Sequence, residues 1–140
     1  MNTKKFLIGT LVGGVAFFFL GYLIYGMALT DFFSQHTGTA TGVAKPMEEL
    51  VWWALILGNL ASAALLSYIF LKWANISSFG AGASAAAVIG FLIVTSFDFV
   101  IFATANISDL TGTAVDIIAY TVMTAIAGGI IGAVLGMVKS

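Results

Sequence analysis

The chain has no cysteine and one proline, and only 8% of its 140 residues are charged. The first absence excludes disulfides, thiolate metal sites and cysteine nucleophiles together, and leaves the redox compartment open. The second leaves long stretches without the residue that most strongly breaks helices. Pro46, the sole proline, stands just ahead of an apolar run, where a missing N–H costs little. The third is the most restrictive, because soluble domains carry roughly a quarter of their residues charged. The formal charge of −1 comes without a basic block or an acidic tail, which argues against nucleic acid as a partner.

Catalytic signatures are missing too. There is no GxSxG, no HExxH, no glycine loop followed by Lys and Ser or Thr to cradle phosphate, and no dinucleotide fingerprint. His36 lies in a polar loop between Gln35 and Thr37, with no second histidine to complete a metal site. No catalytic residue, metal ligand or cofactor is therefore expected, and an enzyme has no support in the residues.

What is present is apolar: 61% of the chain, gathered into long unbroken runs. A membrane barrel would show strands of about ten residues alternating apolar and polar, so only helices fit. The sequence predicts an all-α, polytopic integral membrane protein, a four-transmembrane-helix bundle forming a single membrane domain over residues 1–140. The runs place helices at about 6–30, 50–73, 79–105 and 114–138, each long enough for a hydrocarbon core of about 30 Å. The first run follows Lys4 and Lys5 but exceeds the roughly 7 to 15 apolar residues of a signal peptide, and no convincing small-x-small cleavage site follows it. The connections 31–49, 74–78 and 106–113 leave no room for a soluble domain.

Lys4, Lys5, Lys72 and Lys139 fall on one side of such a bundle and only Lys45 on the other. Positive residues stay cytoplasmic, so both termini are expected inside. The outer side then carries Asp31, His36, Glu48, Glu49 and Asp109, with Trp52 and Trp53 at headgroup depth and Trp73 at the inner boundary. The segment Asp31-Phe32-Phe33-Ser34 reads as a short amphipathic piece along the outer interface. The tetrapeptide Ala74-Asn75-Ile76-Ser77 recurs as Ala105-Asn106-Ile107-Ser108, each time at a helix boundary, and reads as turn and cap chemistry.

Read at intervals of four, one ridge of the last helix carries Asp116, Tyr120, Thr124, Gly128, Gly132 and Gly136. The third run gives Gly82, Ala86, Gly90, Val94, Asp98 and Phe102 in the opposite direction, and the first adds Gly9, Gly13, Gly14 and Gly21 before Tyr22 and Tyr25. Small residues spaced by four let membrane helices approach backbone to backbone. Gly9, Gly13, Gly82, Gly90, Gly128, Gly132 and Gly136 are therefore the predicted packing surface, with three helices converging in the cytoplasmic half and their outer halves free to splay. The second run, with Tyr68, Phe70 and Trp73 in its inner half, is expected at the edge, facing lipid.

Asp98 is the strongest candidate functional residue. An aspartate inside a membrane helix costs about 2.5 to 3.5 kcal/mol near the centre on insertion scales. It lies about six residues, or roughly 9 Å, from the outer end of its helix. Tyr22, Asn59 and Tyr120 count to a similar depth, with Asp116 nearer the surface, so four helices each offer a polar group to one layer. No lysine or arginine falls there, which leaves a proton or a cation as the natural partner of Asp98. The alternative is that Asp98 bonds Asn59 or a tyrosine and fixes helix register.

The stretches Leu20-Gly21-Tyr22-Leu23-Ile24-Tyr25, Asp31-Phe32-Phe33 and Asp116-Ile117-Ile118-Ala119-Tyr120 resemble the small bacterial four-helix membrane proteins of domain-of-unknown-function family 1761. That family's first helix often ends in an aromatic-Tyr-Ser-Pro motif, whereas here Gly26-Met27 follow Tyr25. The resemblance implies a fold and a location, a bacterial cytoplasmic (inner) membrane crossed several times with both termini cytoplasmic, and no activity. Two functions follow as expectations: a noncatalytic accessory or structural subunit, or homo-oligomer, surrounded by membrane lipids; or a small proton, cation or solute carrier or channel using Asp98 in an outward-facing polar vestibule.

Overall fold

The computed structural model describes residues 1–139, is 81% helical, and has no strand among the described residues. Helix α1 (Thr3–Gly21) starts at Asn2, whose side chain accepts the Lys5 N–H at 3.1 Å. That cap draws Lys4 and Lys5 into the first turn, so the helix begins ahead of its apolar run. It continues into a wider π-helical segment, Tyr22–Ala28, in which the Leu29 N–H reaches back to the Ile24 carbonyl at 2.9 Å. The span ends there, and Thr30 opens a separate short helix, α2 (Thr30–Gln35), where an interfacial piece was predicted.

After a long connection containing a single 3-10 turn, Met47–Glu49, α3 (Trp52–Ile69) runs into a second π segment, Phe70–Ala74. It stops on Asn75 at φ 52 and ψ 49, a left-handed conformation that asparagine accepts more readily than most residues. Helix α4 (Phe79–Thr104) is capped by Ser78, whose hydroxyl accepts the Ala81 N–H at 3.3 Å. Helix α5 (Leu110–Met137) is capped by Asp109, which accepts the Gly112 N–H at 2.7 Å. This cap starts the last helix about one turn before the predicted 114 and shrinks the loop read at 106–113, because Thr111, Gly112 and Thr113 form the first turn. The two Ala-Asn-Ile-Ser copies do different work: Asn75 terminates a helix, while Asn106 offers its carbonyl to the Ala40 N–H at 2.8 Å.

Four helical stretches are long and apolar enough to cross a membrane: Thr3–Ala28, Trp52–Ala74, Phe79–Thr104 and Leu110–Met137. The chain is thus a multi-pass membrane protein built as a four-helix bundle. Lys4, Lys5, Lys72 and Lys139 mark one end of it, the lysine end; the 29–51 connection and the α4–α5 turn mark the other, the loop end.

Helix α5 is the centre, with half of its span buried against about a fifth for each of the others. Its longest interface is with α4, whose buried residues Gly82, Ala86, Gly90 and Val94 form one row spaced by four. A methyl group on Gly82 would strike the Gly128 carbonyl, one on Gly128 would strike Ala86, and one on Gly90 would sit 2.7 Å from Thr124. Their absence lets the two backbones touch. Helix α1 instead spreads its glycines over two partners: Gly9 meets Ser67 and Leu135, Gly13 meets Ala63 and Ile131, and Gly14 meets Leu60.

Two packing expectations are corrected. The glycines of α1 and α4 do not converge, because α5 stands between the two helices. Helix α3 is not peripheral in its lysine-end half either: Ala63, Leu66, Ser67 and Phe70 form a buried stripe spaced by three and four that packs along α1. Phe70 is fully buried, whereas Tyr68 and Trp73 leave on other faces and point outward. Gly136 lies exposed on α5, and the group that crowds it is the Ser77 carbonyl in the α3–α4 turn rather than a facing helix. Helices α3 and α4 hardly meet, which leaves one flank of the bundle open.

Candidate functional site

The α4–α5 zipper carries the polar residues with it. Gly128 sits against Ala86 and Thr124 against Gly90, so antiparallel steps of four set Tyr120 opposite Val94 and Asp116 opposite Asp98. The Asp98 and Asp116 carboxyls accordingly come within hydrogen-bonding reach of each other. Each is half-buried. A third helix completes the group: Tyr25, in the π segment of α1, turns its side chain toward Asp116, with Asp98 and Tyr120 as its next charged or ionisable neighbours.

Tyr25 is held from above. Its ring stacks on Phe33 of α2 with centroids 5.8 Å apart and an angle of 19°, and the Thr30 hydroxyl donates to its carbonyl at 2.8 Å. Helix α2 is in turn fastened to the α4–α5 turn. The His36 ring stacks on Phe32 with centroids 4.2 Å apart and places Nδ1 3.0 Å from a carboxylate oxygen of Asp109. The Asp109 N–H donates to the His36 carbonyl at 3.1 Å, and side chains at Gly38 or Gly112 would collide with the backbone of the opposite segment. The Gly112 N–H holds the Asp109 carboxyl below the usual carboxylate range, against a smaller opposing effect of desolvation, and His36 adds to the lowering. The 29–40 segment therefore lies docked on the loop end beside the acid cluster.

Of the five residues picked from the sequence, the structure gathers Asp98, Asp116 and Tyr120. Tyr22 is elsewhere: it is 47% exposed and lies along Gly26 of its own helix. Asn59 donates its amide to the Leu55 carbonyl one turn back at 2.9 Å and lines the open flank, where it shares a cleft with Tyr120. Tyr25 was not picked, because depth was matched to Asp98. The depth of Asp116, nearer the loop end, was the signal that would have chosen it.

Two carboxyls and two phenols can share protons, or wrap a small cation in oxygen ligands. The one ion pair among the described residues is His36 with Asp109, so no basic side chain balances the charge of Asp98 and Asp116. No group of three or more His, Asp or Glu placed to hold a metal ion occurs among the described residues. Comparison with family models, with curated proteins and with solved structures finds no match.

Proposed function

We propose that this protein is a noncatalytic membrane bundle of the carrier or channel class, which takes up a proton or a small monovalent cation at the Asp98 and Asp116 pair. The observation that supports this is the meeting of the two carboxyls from different helices, with the Tyr25 hydroxyl on a third side and no basic partner. A proton shared between the carboxyls, or a cation beside them, balances a charge that is costly at this depth. The Tyr25 and Tyr120 hydroxyls can donate to whichever carboxylate is bare. The lysine distribution supports both termini being cytoplasmic, so the cluster would be reached from the outer side. The resemblance to domain-of-unknown-function family 1761 is what supports a bacterial cytoplasmic membrane as the location.

The test is flux in proteoliposomes carrying a pH-sensitive or cation-sensitive dye. Asp98→Asn and Asp116→Asn should each reduce protein-dependent flux by about tenfold or more, the range in which lost carboxyl partners act at metal and ion sites. Flux at the wild-type rate in both variants would sink the proposal.

A second reading gives the same carboxyls a structural task. The glycine register by itself brings Asp98 to Asp116, which favours a hydrogen-bonded layer that locks α4 on α5 in an accessory subunit or homo-oligomer. Gentle detergent extraction and mass measurement separate the two. A stoichiometric companion or a defined oligomer, together with no flux, supports the second reading, and a lone monomer removes it.

A further inference from the structure

The flank where α3 and α4 fail to meet is open-sided and holds a cleft of about 540 Å³. Phe17 and Met123 form its floor and Val51, Ala54, Leu55 and Gly58 its wall, with Lys45 at the loop end. Beyond it a narrow space of about 20 Å³ continues toward Leu66, Ile89 and Ile93, deeper in the bundle. The cleft thus begins at a cation and runs inward along apolar side chains. We propose that it binds one anionic phospholipid, with an acyl chain lying along Gly58 and Met123 and the phosphate at Lys45.

Volume and charge both select this occupant. The cleft falls within the roughly 300 to 1,000 Å³ of small-molecule sites. A helix from a second copy, about 10 Å across and about 30 Å long, would occupy several times that space. A flexible chain fits where a helix does not. At Gly58 an added Cβ would meet nothing within 4 Å, so the wall is recessed there and unfilled by the protein.

Lys45 is the only lysine or arginine at the loop end among the described residues, and it has no acidic partner, since the one ion pair among those residues joins His36 and Asp109. A phosphate would supply that partner. Trp52 and Trp53, beside the mouth and largely exposed, are the side chains that settle at headgroup level, which sets the depth a phosphate would occupy. The inference is independent of what the carboxyl pair does, although Tyr120 borders both.

The experiment reconstitutes the full chain in nanodiscs containing phosphatidylcholine and phosphatidylglycerol, then releases it for native mass spectrometry. The wild type should retain one lipid and prefer phosphatidylglycerol by about fivefold, as one charge contact of about 1 kcal/mol at a membrane surface allows. Lys45→Gln should still retain lipid but with the preference near parity. Gly58→Phe should lose the retained lipid while keeping helicity and melting temperature. A wild type released without lipid, an unchanged preference in Lys45→Gln, or wild-type retention in a folded Gly58→Phe would each overturn the proposal. A wild-type measurement stands apart from any folding defect. Phosphatidylglycerol with a photoreactive group in mid-chain should crosslink to the α3 and α5 residues lining the cleft, and crosslinks found only on other faces would overturn it as well.

Discussion

Gly82 of α4 lies so close to the backbone of Gly128 of α5 that neither position has room for a methyl group. Overpacking a close interface costs about 1 to 3 kcal/mol. Gly128→Ala, which drives a Cβ into Ala86, should therefore lower stability by at least that amount, read as a fall in melting temperature in detergent. Gly80→Ala, where a Cβ meets nothing within 4 Å, should be neutral or stabilise by up to about 1 kcal/mol through helix propensity. Equal effects at both positions would show that the α4–α5 contact is not as close as described.

The same row of residues marks how far the sequence could be read. Periodicity identified Gly82, Ala86, Gly90 and Val94 as one face, and they are the four buried residues of α4. Which helix that face meets was not legible, because a glycine ridge states a close approach and not a partner. Gly13 accepts Ala63 and Ile131 from two different helices on chemistry no different from that of Gly90. Large side chains misled in the second span, where Phe70 was grouped with Tyr68 and Trp73 by size although α-helical phase separates it from Tyr68 and the wider π turn carries Trp73 off its face. The π segment at Tyr22–Ala28 had no signature, and it decides which of two tyrosines reaches the acids. The capping aspartate at 109 was visible as a residue but not as a helix start.

Tyr25 and Tyr22 thus form a test pair. Tyr25→Phe removes the hydroxyl that faces Asp116 and should cost up to about 1 kcal/mol, no more than the net value of one hydrogen bond. Tyr22→Phe changes an exposed group and should stay within about 0.5 kcal/mol. A cycle combining Tyr25→Phe with Asp116→Asn should be non-additive, by an amount near the first value. Additive losses in the cycle would separate Tyr25 from the cluster.

Ser67 is fully buried between α3 and α1, and its hydroxyl has no hydrogen-bond partner. An unpaired buried hydroxyl costs about 1 to 3 kcal/mol, so removing it should not hurt. Ser67→Ala is predicted to hold or raise the melting temperature, while Ser67→Leu should lower it because Gly9 leaves no space beyond the hydroxyl. A clear loss of stability in Ser67→Ala would mean that the hydroxyl is bonded in the membrane.

Acid should loosen the fastening of the 29–40 segment. Asp109 caps α5 and faces His36, and its carboxyl is held below the ordinary value of about 3.9, first by the Gly112 N–H. A carboxylate lowered on folding stabilises the folded form wherever it is ionised, and that contribution is complete above the unfolded value. It is lost as pH falls from about 3.9 through the lower folded value. Hydrogen exchange at the Ala40 and Asp109 amides, which donate to Asn106 and His36, reports the docking directly. Protection corrected for intrinsic rates should be high at neutral pH and drop below about pH 4. Asp109→Asn keeps a side chain that caps helices well and removes the charge. It should show weaker protection at neutral pH and little further loss in acid; an acid response of wild-type size in that variant would assign the loosening to other carboxyl groups.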